Sequence, residues 1–210
     1  MKIKDAIFQQ EEKTRTKIEL VNLLKQPSDK QERPCPGCRL TFPDDPSITS
    51  TAHCSIDCAE AGRKMSSDPN KFPIEEHVVP IVYAIYTLRL LMPCWSCEGH
   101  ENDNDELIKV PKIWFYSVSP FYAKLIAQSL STIKYKNKLH FEWSIKVLPF
   151  SQSMFTLTYS MEPEISTKET FVLKNLHHDM RVIGENLREN VLHEAKKYLD
   201  SADNSPFTTK

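Results

Sequence analysis

Two segments in the second half of the chain alternate apolar and polar residues with a period of two. In HFEWSIKV, residues 140–147, the apolar positions are Phe141, Trp143, Ile145 and Val147. In SMFTLTYSM, residues 153–161, they are Phe155, Leu157, Tyr159 and Met161. This alternation is typical of half-buried antiparallel strands, and the short link PFSQS predicts that the two strands form a hairpin.

The last long segment, residues 168–199, instead repeats its apolar positions every three or four residues. The apolar stripe consists of Leu173, Leu176, Met180, Ile183, Leu187 and Val191, which predicts one helix that packs on a core. Helices are also predicted over residues 1–26, 74–93 and 120–134, and a strand over KIWFYSV, residues 112–118. This order predicts an α+β fold, in which helices pack on a small antiparallel sheet.

The composition excludes several classes of function. The chain has 210 residues and a net charge of −1, so binding to nucleic acid or to an anionic surface would need a local patch. It has 4 glycines and carries neither GxGxxG nor GxxxxGK(S/T), and GxSxG and HExxH are absent too. The N-terminus lacks the apolar segment of a signal peptide, and prolines interrupt the longest apolar stretch, residues 78–94. We therefore expect a cytoplasmic protein with no membrane partner.

All six cysteines fall in three close pairs. The first two pairs have the spacing C-x2-C-x15-C-x3-C and consist of Cys35, Cys38, Cys54 and Cys58. Thiols stay reduced in the cytoplasm, and four of them suit a tetrahedral Zn²⁺ site. The loop between the pairs is rich in proline and poor in apolar residues, so metal binding would supply much of its folding energy. The sequence therefore predicts a structural Zn²⁺ site; disulfides or free thiols are the alternatives.

CPGC followed by HCSIDCAEAGR resembles the small bacterial zinc proteins of the YacG type, which inhibit DNA gyrase, and more broadly other treble-clef fingers. The resemblance covers about residues 33–64, with a short helix expected from about Ser55 to Met65. It implies one structural Zn²⁺ held by the four cysteines. Because such fingers often accompany nucleic acid or its enzymes, it also makes these the first expected partners.

The third pair lies in PCWSCEGHENDNDE, residues 93–106, where Cys94, Cys97 and His100 offer three zinc ligands. The candidates for the fourth ligand are His77, His140, His177, His178, Glu101 and Asp103. Of these, we assign His77 to the site. A water molecule in that position would make the site catalytic in type, with Glu98 or Glu101 as general base. A redox CxxC and a turn without metal remain alternatives.

A second candidate interface interleaves Lys134, Lys136 and Lys138 with aromatic residues in KYKNKLHFEW, residues 134–143. Such a stretch could hold a phosphate backbone and stack bases. The alternative is a solvated turn that leads into a core strand, which the alternation favours. Near the start of the last helix, His177, His178 and Arg181 could bind an anion or complete a metal site, although surface histidines need no function.

These patterns together predict an N-terminal helix (1–32), a four-cysteine zinc finger (33–66), an α+β domain with a second Cys/Cys/His cluster (73–200) and a flexible tail (201–210). The expected function is that of a zinc-binding protein with structural metal sites. It would be a regulatory or macromolecule-binding module whose partner is protein or nucleic acid. A zinc-dependent enzyme with an open Cys94/Cys97/His100 site is the alternative.

Overall fold

The computed structural model describes residues 7–25, 33–34, 41–42, 74–88, 90–117, 119–137, 139–149 and 157–203. The four cysteines of the predicted finger, the predicted helix from Ser55 and the segment from 204 onward lie outside these ranges. The α+β class is confirmed, because the described residues combine helices with an antiparallel sheet. None of the described helices is both long and apolar enough to cross a membrane.

The elements follow one another as helices and short strands. They are α1 (Ile7–Lys25), β1 (Arg33–Pro34), β2 (Thr41–Phe42), a 3₁₀ helix (Glu76–Val78), α2 (Val79–Thr87), β3 (Met92–Cys97), β4 (His100–Glu101), β5 (Leu107–Lys109), β6 (Lys112–Ser117), α3 (Pro120–Asn137), β7 (Trp143–Val147), β8 (Leu157–Pro163) and α4 (Leu173–Asp203). The main sheet has the order β3-β6-β8-β7 with antiparallel neighbours. β1 pairs with β2, and β4 with β5.

The predicted hairpin is confirmed, since β7 and β8 pair directly from Trp143 opposite Pro163 to Val147 opposite Tyr159. β8 differs from the prediction of a half-buried strand. Thr158 and Ser160 are buried along with Tyr159. β8 is an inner strand of the sheet, flanked by β6 and β7, and side chains that point to both of its faces are buried.

The long last helix, α4, is the element on which the other helices pack. Its buried stripe is as predicted, with Leu176, Met180, Ile183, Leu187 and Val191 all 0% exposed. Helices α1, α2 and α3 all contact it. The crossing with α2 is close, because a Cβ added at Gly184 would lie 2.5 Å from the Cβ of Pro80. The side chain of Asp179 on the same helix accepts hydrogen bonds from the segment that leads into β7.

The predicted helix over residues 74–93 is wrong beyond Thr87. The structure begins α2 at Val79, with Pro80 in its first turn, and ends it at Thr87, after which β3 starts at Met92. A run that is apolar on all sides has no period that separates a buried helix from a strand that follows it. The CWSC segment therefore lies on an edge strand of the sheet and not in a loop after a helix.

Candidate metal centre

The link between β3 and β4 brings the ends of these two strands close together. It consists of Glu98 and Gly99, and Gly99 has a φ of +87°, in the left-handed region where glycine is favoured. A Cβ at this position would also lie 2.8 Å from the Cγ and Cδ atoms of Pro111. The tight link turns Cys97, the last residue of β3, and His100, the first residue of β4, toward each other.

Glu75, Cys97 and His100 form a first group of metal-ligating side chains. Glu75 directly precedes the 3₁₀ helix. The Sγ atom of Cys97 lies 3.4 Å from Nε2 of His100, and that nitrogen lies 3.2 Å from Oε1 of Glu75. The three ligand atoms are all within 4.8 Å of one another. We refer to these residues as the cysteine group.

The Cys97 side chain is the enclosed member of this group, because the residue is 5% exposed. Burial raises the pKa of its thiol, and the negative charge of Glu75 raises it further, while the Gly99 backbone and Lys109 lower it. The free thiol is therefore protonated at neutral pH. An ion that binds there must displace a proton, as zinc does when it takes up a cysteine.

His77, Glu98 and His177 form a second group, whose ligand atoms are likewise all within 4.8 Å of one another. The rings of His77 and His177 are stacked, with centroids 3.9 Å apart and planes 18° apart. Nε2 of His177 donates to the carbonyl oxygen of Glu98 at 3.1 Å. Burial first, and then the charge of His77, lowers the pKa of His177 to about 4, so this imidazole is neutral at neutral pH. We refer to these residues as the histidine group.

Two hydrogen bonds in opposite directions hold the chain segments that carry both groups. The backbone N–H of Glu98 donates to Oε2 of Glu75 at 2.7 Å, and the backbone N–H of His77 donates to Oε2 of Glu98 at 2.8 Å. Each carboxylate therefore fixes the backbone of the opposite segment. Hydrogen bonds that orient the ligands of a site also tune how well it binds an ion.

The structure brings Cys97 and His100 together as predicted, but Cys94 belongs to neither group. Cys94 is exposed, and its thiol is hydrogen bonded to the side chain of Tyr116. The physical reason is that CWSC is a strand. Three residues of extended chain separate two Cα atoms by about 10 Å, which is too far for the thiols of Cys94 and Cys97 to meet at one ion. Glu75 takes the place that the sequence assigned to Cys94.

The candidates for a fourth ligand are distributed differently from the prediction. His77 and His177 both lie in the histidine group. Glu101 accepts a hydrogen bond from the backbone N–H of Leu173 at 3.1 Å, so it caps the first turn of α4. The exposed side chains of His140 and His178 contact each other edge to face with ring centroids 5.3 Å apart. Neither belongs to a metal-ligating group formed by the described residues.

Two residues of the basic and aromatic stretch, Lys134 and Trp143, make contacts within the fold. Nζ of Lys134 donates to the carbonyl oxygens of Leu139 and His140, at 2.8 and 3.4 Å, so it links the end of α3 to the segment that follows the helix. Trp143 is 6% exposed and belongs to the core, whereas Tyr135 is 89% exposed. Lys136 is exposed, and Lys138 lies outside the described residues.

Sequence reasoning missed Glu75 and Glu98 as possible ligands. Glu75 lies 22 positions before Cys97 and looks in the sequence like an acidic residue at a helix start. A signal was available for Glu98, which stands between Cys97 and His100, but the sequence suggested only a general base there. No family model, curated protein or solved structure matches this chain, so the site is interpreted from its own geometry.

Proposed function

We propose that this protein binds Zn²⁺ through Glu75, Cys97 and His100, and that the ion acts as a structural fastener. The observation that carries the proposal is the spacing of the three ligand atoms. Bonds of about 2.0–2.3 Å in a tetrahedron hold ligand atoms about 3.3–3.7 Å apart. The distances of 3.4 Å from Cys97 Sγ to His100 Nε2 and 3.2 Å from there to Glu75 Oε1 are close to that range.

The kinds of ligand support zinc over other common ions. A thiolate, an imidazole and a carboxylate are all ligands that Zn²⁺ accepts, while Mg²⁺ and Ca²⁺ bind through oxygen. An ion at this point would join the segment before α2 to the end of β3 and the start of β4. It would thus add a direct link between helical and sheet elements. The same two segments are already joined by the hydrogen bonds that the Glu75 and Glu98 carboxylates accept.

A further Zn²⁺ is proposed at Cys35, Cys38, Cys54 and Cys58, on the evidence of their spacing in the sequence. Together the two sites support a cytoplasmic module that binds a macromolecule, either protein or nucleic acid, with zinc in a structural role. For a nucleic-acid partner, the described residues that support binding are Tyr135 and Lys136, which are exposed next to each other near the end of α3. Lys134 is held by main-chain carbonyls.

One observation favours a zinc enzyme as a second candidate. The cysteine group supplies three protein ligands, and the side chains of His100 and Glu75 are 38% and 33% exposed. Water could therefore reach a fourth coordination position, as in catalytic zinc sites. This candidate differs from the one in the sequence analysis, because its ligands are Glu75, Cys97 and His100.

Thermal unfolding with and without a zinc chelator tests the structural role. A ligand at 1,000 times its Kd stabilises a fold by about 4 kcal/mol, which is on the order of 8–16 °C in Tm for a chain of this size. We expect Cys97→Ser to lose a shift of this order relative to the wild type, and Cys94→Ser, the matched control, to keep it. If Cys97→Ser keeps the full chelator effect, the cysteine group holds no structural ion. If it keeps its Tm and loses a hydrolytic activity, the enzyme candidate is favoured.

A further inference from the structure

We propose that His77, Glu98 and His177 form a second, separate site for a divalent transition-metal ion, next to the cysteine group. It extends the proposed function to a centre with two ions. It uses none of the ligands of the first ion, so either site can fail without the other. Its three residues come from three parts of the fold: the 3₁₀ helix, the link between β3 and β4, and the N-terminal part of α4.

The hydrogen bonds around the histidine group leave its ligand atoms available. The carbonyl oxygen of Glu98 can only accept, so Nε2 of His177 carries the hydrogen and the lone pair is on Nδ1. Such a bond to a carbonyl is one of the common ways in which a ligating histidine is oriented. The Glu98 carboxylate accepts one hydrogen bond from the His77 backbone. A carboxylate has about four lone-pair positions, so it keeps the capacity to bind an ion.

The stacked rings predict the movement that binding requires. An ion lies in the plane of each imidazole that binds it, and two rings stacked 3.9 Å apart with an 18° angle between their planes cannot both satisfy this. One ring has to turn about its side-chain bonds. His77 is exposed, and its hydrogen bond to Glu98 is made by its backbone, so its ring can turn without breaking that bond. Counting one nitrogen of each ring, the ligand atoms lie within 4.8 Å of one another, and binding has to bring them to roughly 3.3 Å.

The donor set defines the ion and the character of the site. Two imidazoles and one carboxylate are borderline nitrogen and oxygen donors, which suit Zn²⁺, Co²⁺ and Fe²⁺ and which in enzymes leave coordination positions for water or substrate. The cysteine group, with its thiolate, favours softer ions. The histidine group is also the more accessible one, because His77 is exposed while Cys97 is buried. The second ion is therefore expected to exchange more readily than the first.

Cobalt substitution of the full chain tests this site with a probe that separates the two donor sets. Co²⁺ bound to a thiolate shows a sulfur-to-cobalt charge-transfer band, whereas Co²⁺ bound to nitrogen and oxygen shows only its visible d–d bands. We expect His177→Gln to bind one Co²⁺ fewer per chain than the wild type while its sulfur-to-cobalt band stays unchanged. His178→Gln, an exposed histidine next to it in the sequence, should bind as many ions as the wild type.

A second variant protects the test against misfolding. His77→Gln changes an exposed side chain and leaves the backbone hydrogen bond to Glu98 in place, so it should fold normally and lose the same ion. Equal cobalt content in the wild type, His77→Gln and His177→Gln would overturn the proposal. The sulfur-to-cobalt band of Cys97→Ser would be weaker and not absent, because the four-cysteine site keeps its own thiolates. A weaker band in Cys97→Ser together with unchanged cobalt content in both histidine variants would support the first ion and remove the second.

Discussion

Asp179 offers the sharpest prediction about stability, because it is a buried carboxylate that accepts three hydrogen bonds. It is 0% exposed on α4. Its Oδ1 accepts from the backbone N–H of His140 at 2.9 Å, and its Oδ2 accepts from the backbone N–H of Phe141 at 2.9 Å and from Nε1 of Trp143 at 3.3 Å. The side chain therefore fixes the start of β7 against the central helix.

The magnitude follows from these contacts. Hydrogen bonds to a charged group contribute about 1.5–3 kcal/mol each, and a buried donor that loses its partner costs about 1–3 kcal/mol. Water can reach part of the His140 and Phe141 segment, so the three terms do not add in full. We expect Asp179→Ala to lower the free energy of unfolding by about 3–4 kcal/mol. Asp179→Asn, which keeps the size and one acceptor oxygen, should lose about 1–2 kcal/mol.

Urea unfolding followed by circular dichroism measures the loss. With a slope of about 2 kcal/mol per M, Asp179→Ala should lower the urea midpoint by about 1.5–2 M. Glu185→Ala, an exposed carboxylate on the same helix, is the matched control and should change the free energy by no more than about 0.5 kcal/mol. If Asp179→Ala costs less than about 1 kcal/mol, the hydrogen bonds of this carboxylate do not stabilise the fold as argued.

Two further predictions concern α4. Gly184→Ala should destabilise the fold by about 1–3 kcal/mol in the same urea assay, because the new Cβ would lie 2.5 Å from that of Pro80; a gain in stability would contradict the close crossing. With chelator present, the wild type should lose stability as the pH falls from about 6.5 to about 4. The pKa of His177 is about 4 in the folded protein and 6.5 without the fold, so in this range the unfolded chain binds a proton that the folded protein does not. His177→Gln should lose that part of the slope while His178→Gln keeps it, and equal slopes in all three proteins would count against a half-buried, neutral His177.

The parts of the fold that the sequence predicted are those whose signal is local. The β7–β8 hairpin follows from alternation with a period of two, and the buried stripe of α4 follows from apolar residues three and four apart. The segment over residues 74–93 has no such period, and it divides into α2 and β3. Secondary structure that depends on packing, and not on a local pattern, cannot be predicted from one sequence alone.

The candidate metal centre shows the same division. The spacing of Cys97 and His100 is local, and their contact was predicted. Cys94 was expected beside them because CxxC forms a turn in many zinc sites, but here the segment is extended as an edge strand. Glu75 and His177 reach the centre only because α2 and α4 pack together near β3. Residues that are distant in the sequence carry no spacing signal, so a tertiary structure is needed to find them.

The zinc content of the full chain tests the central claim most directly. Mass spectrometry under native conditions counts the ions bound to the wild type, Cys97→Ser and Cys94→Ser. Our account predicts one Zn²⁺ fewer in Cys97→Ser and an unchanged count in Cys94→Ser, because Cys97, and not Cys94, lies within ligand distance of His100 and Glu75. A loss in both variants would restore the CxxC pair as the ligand set, and no loss in either would show that the cysteine group binds no zinc.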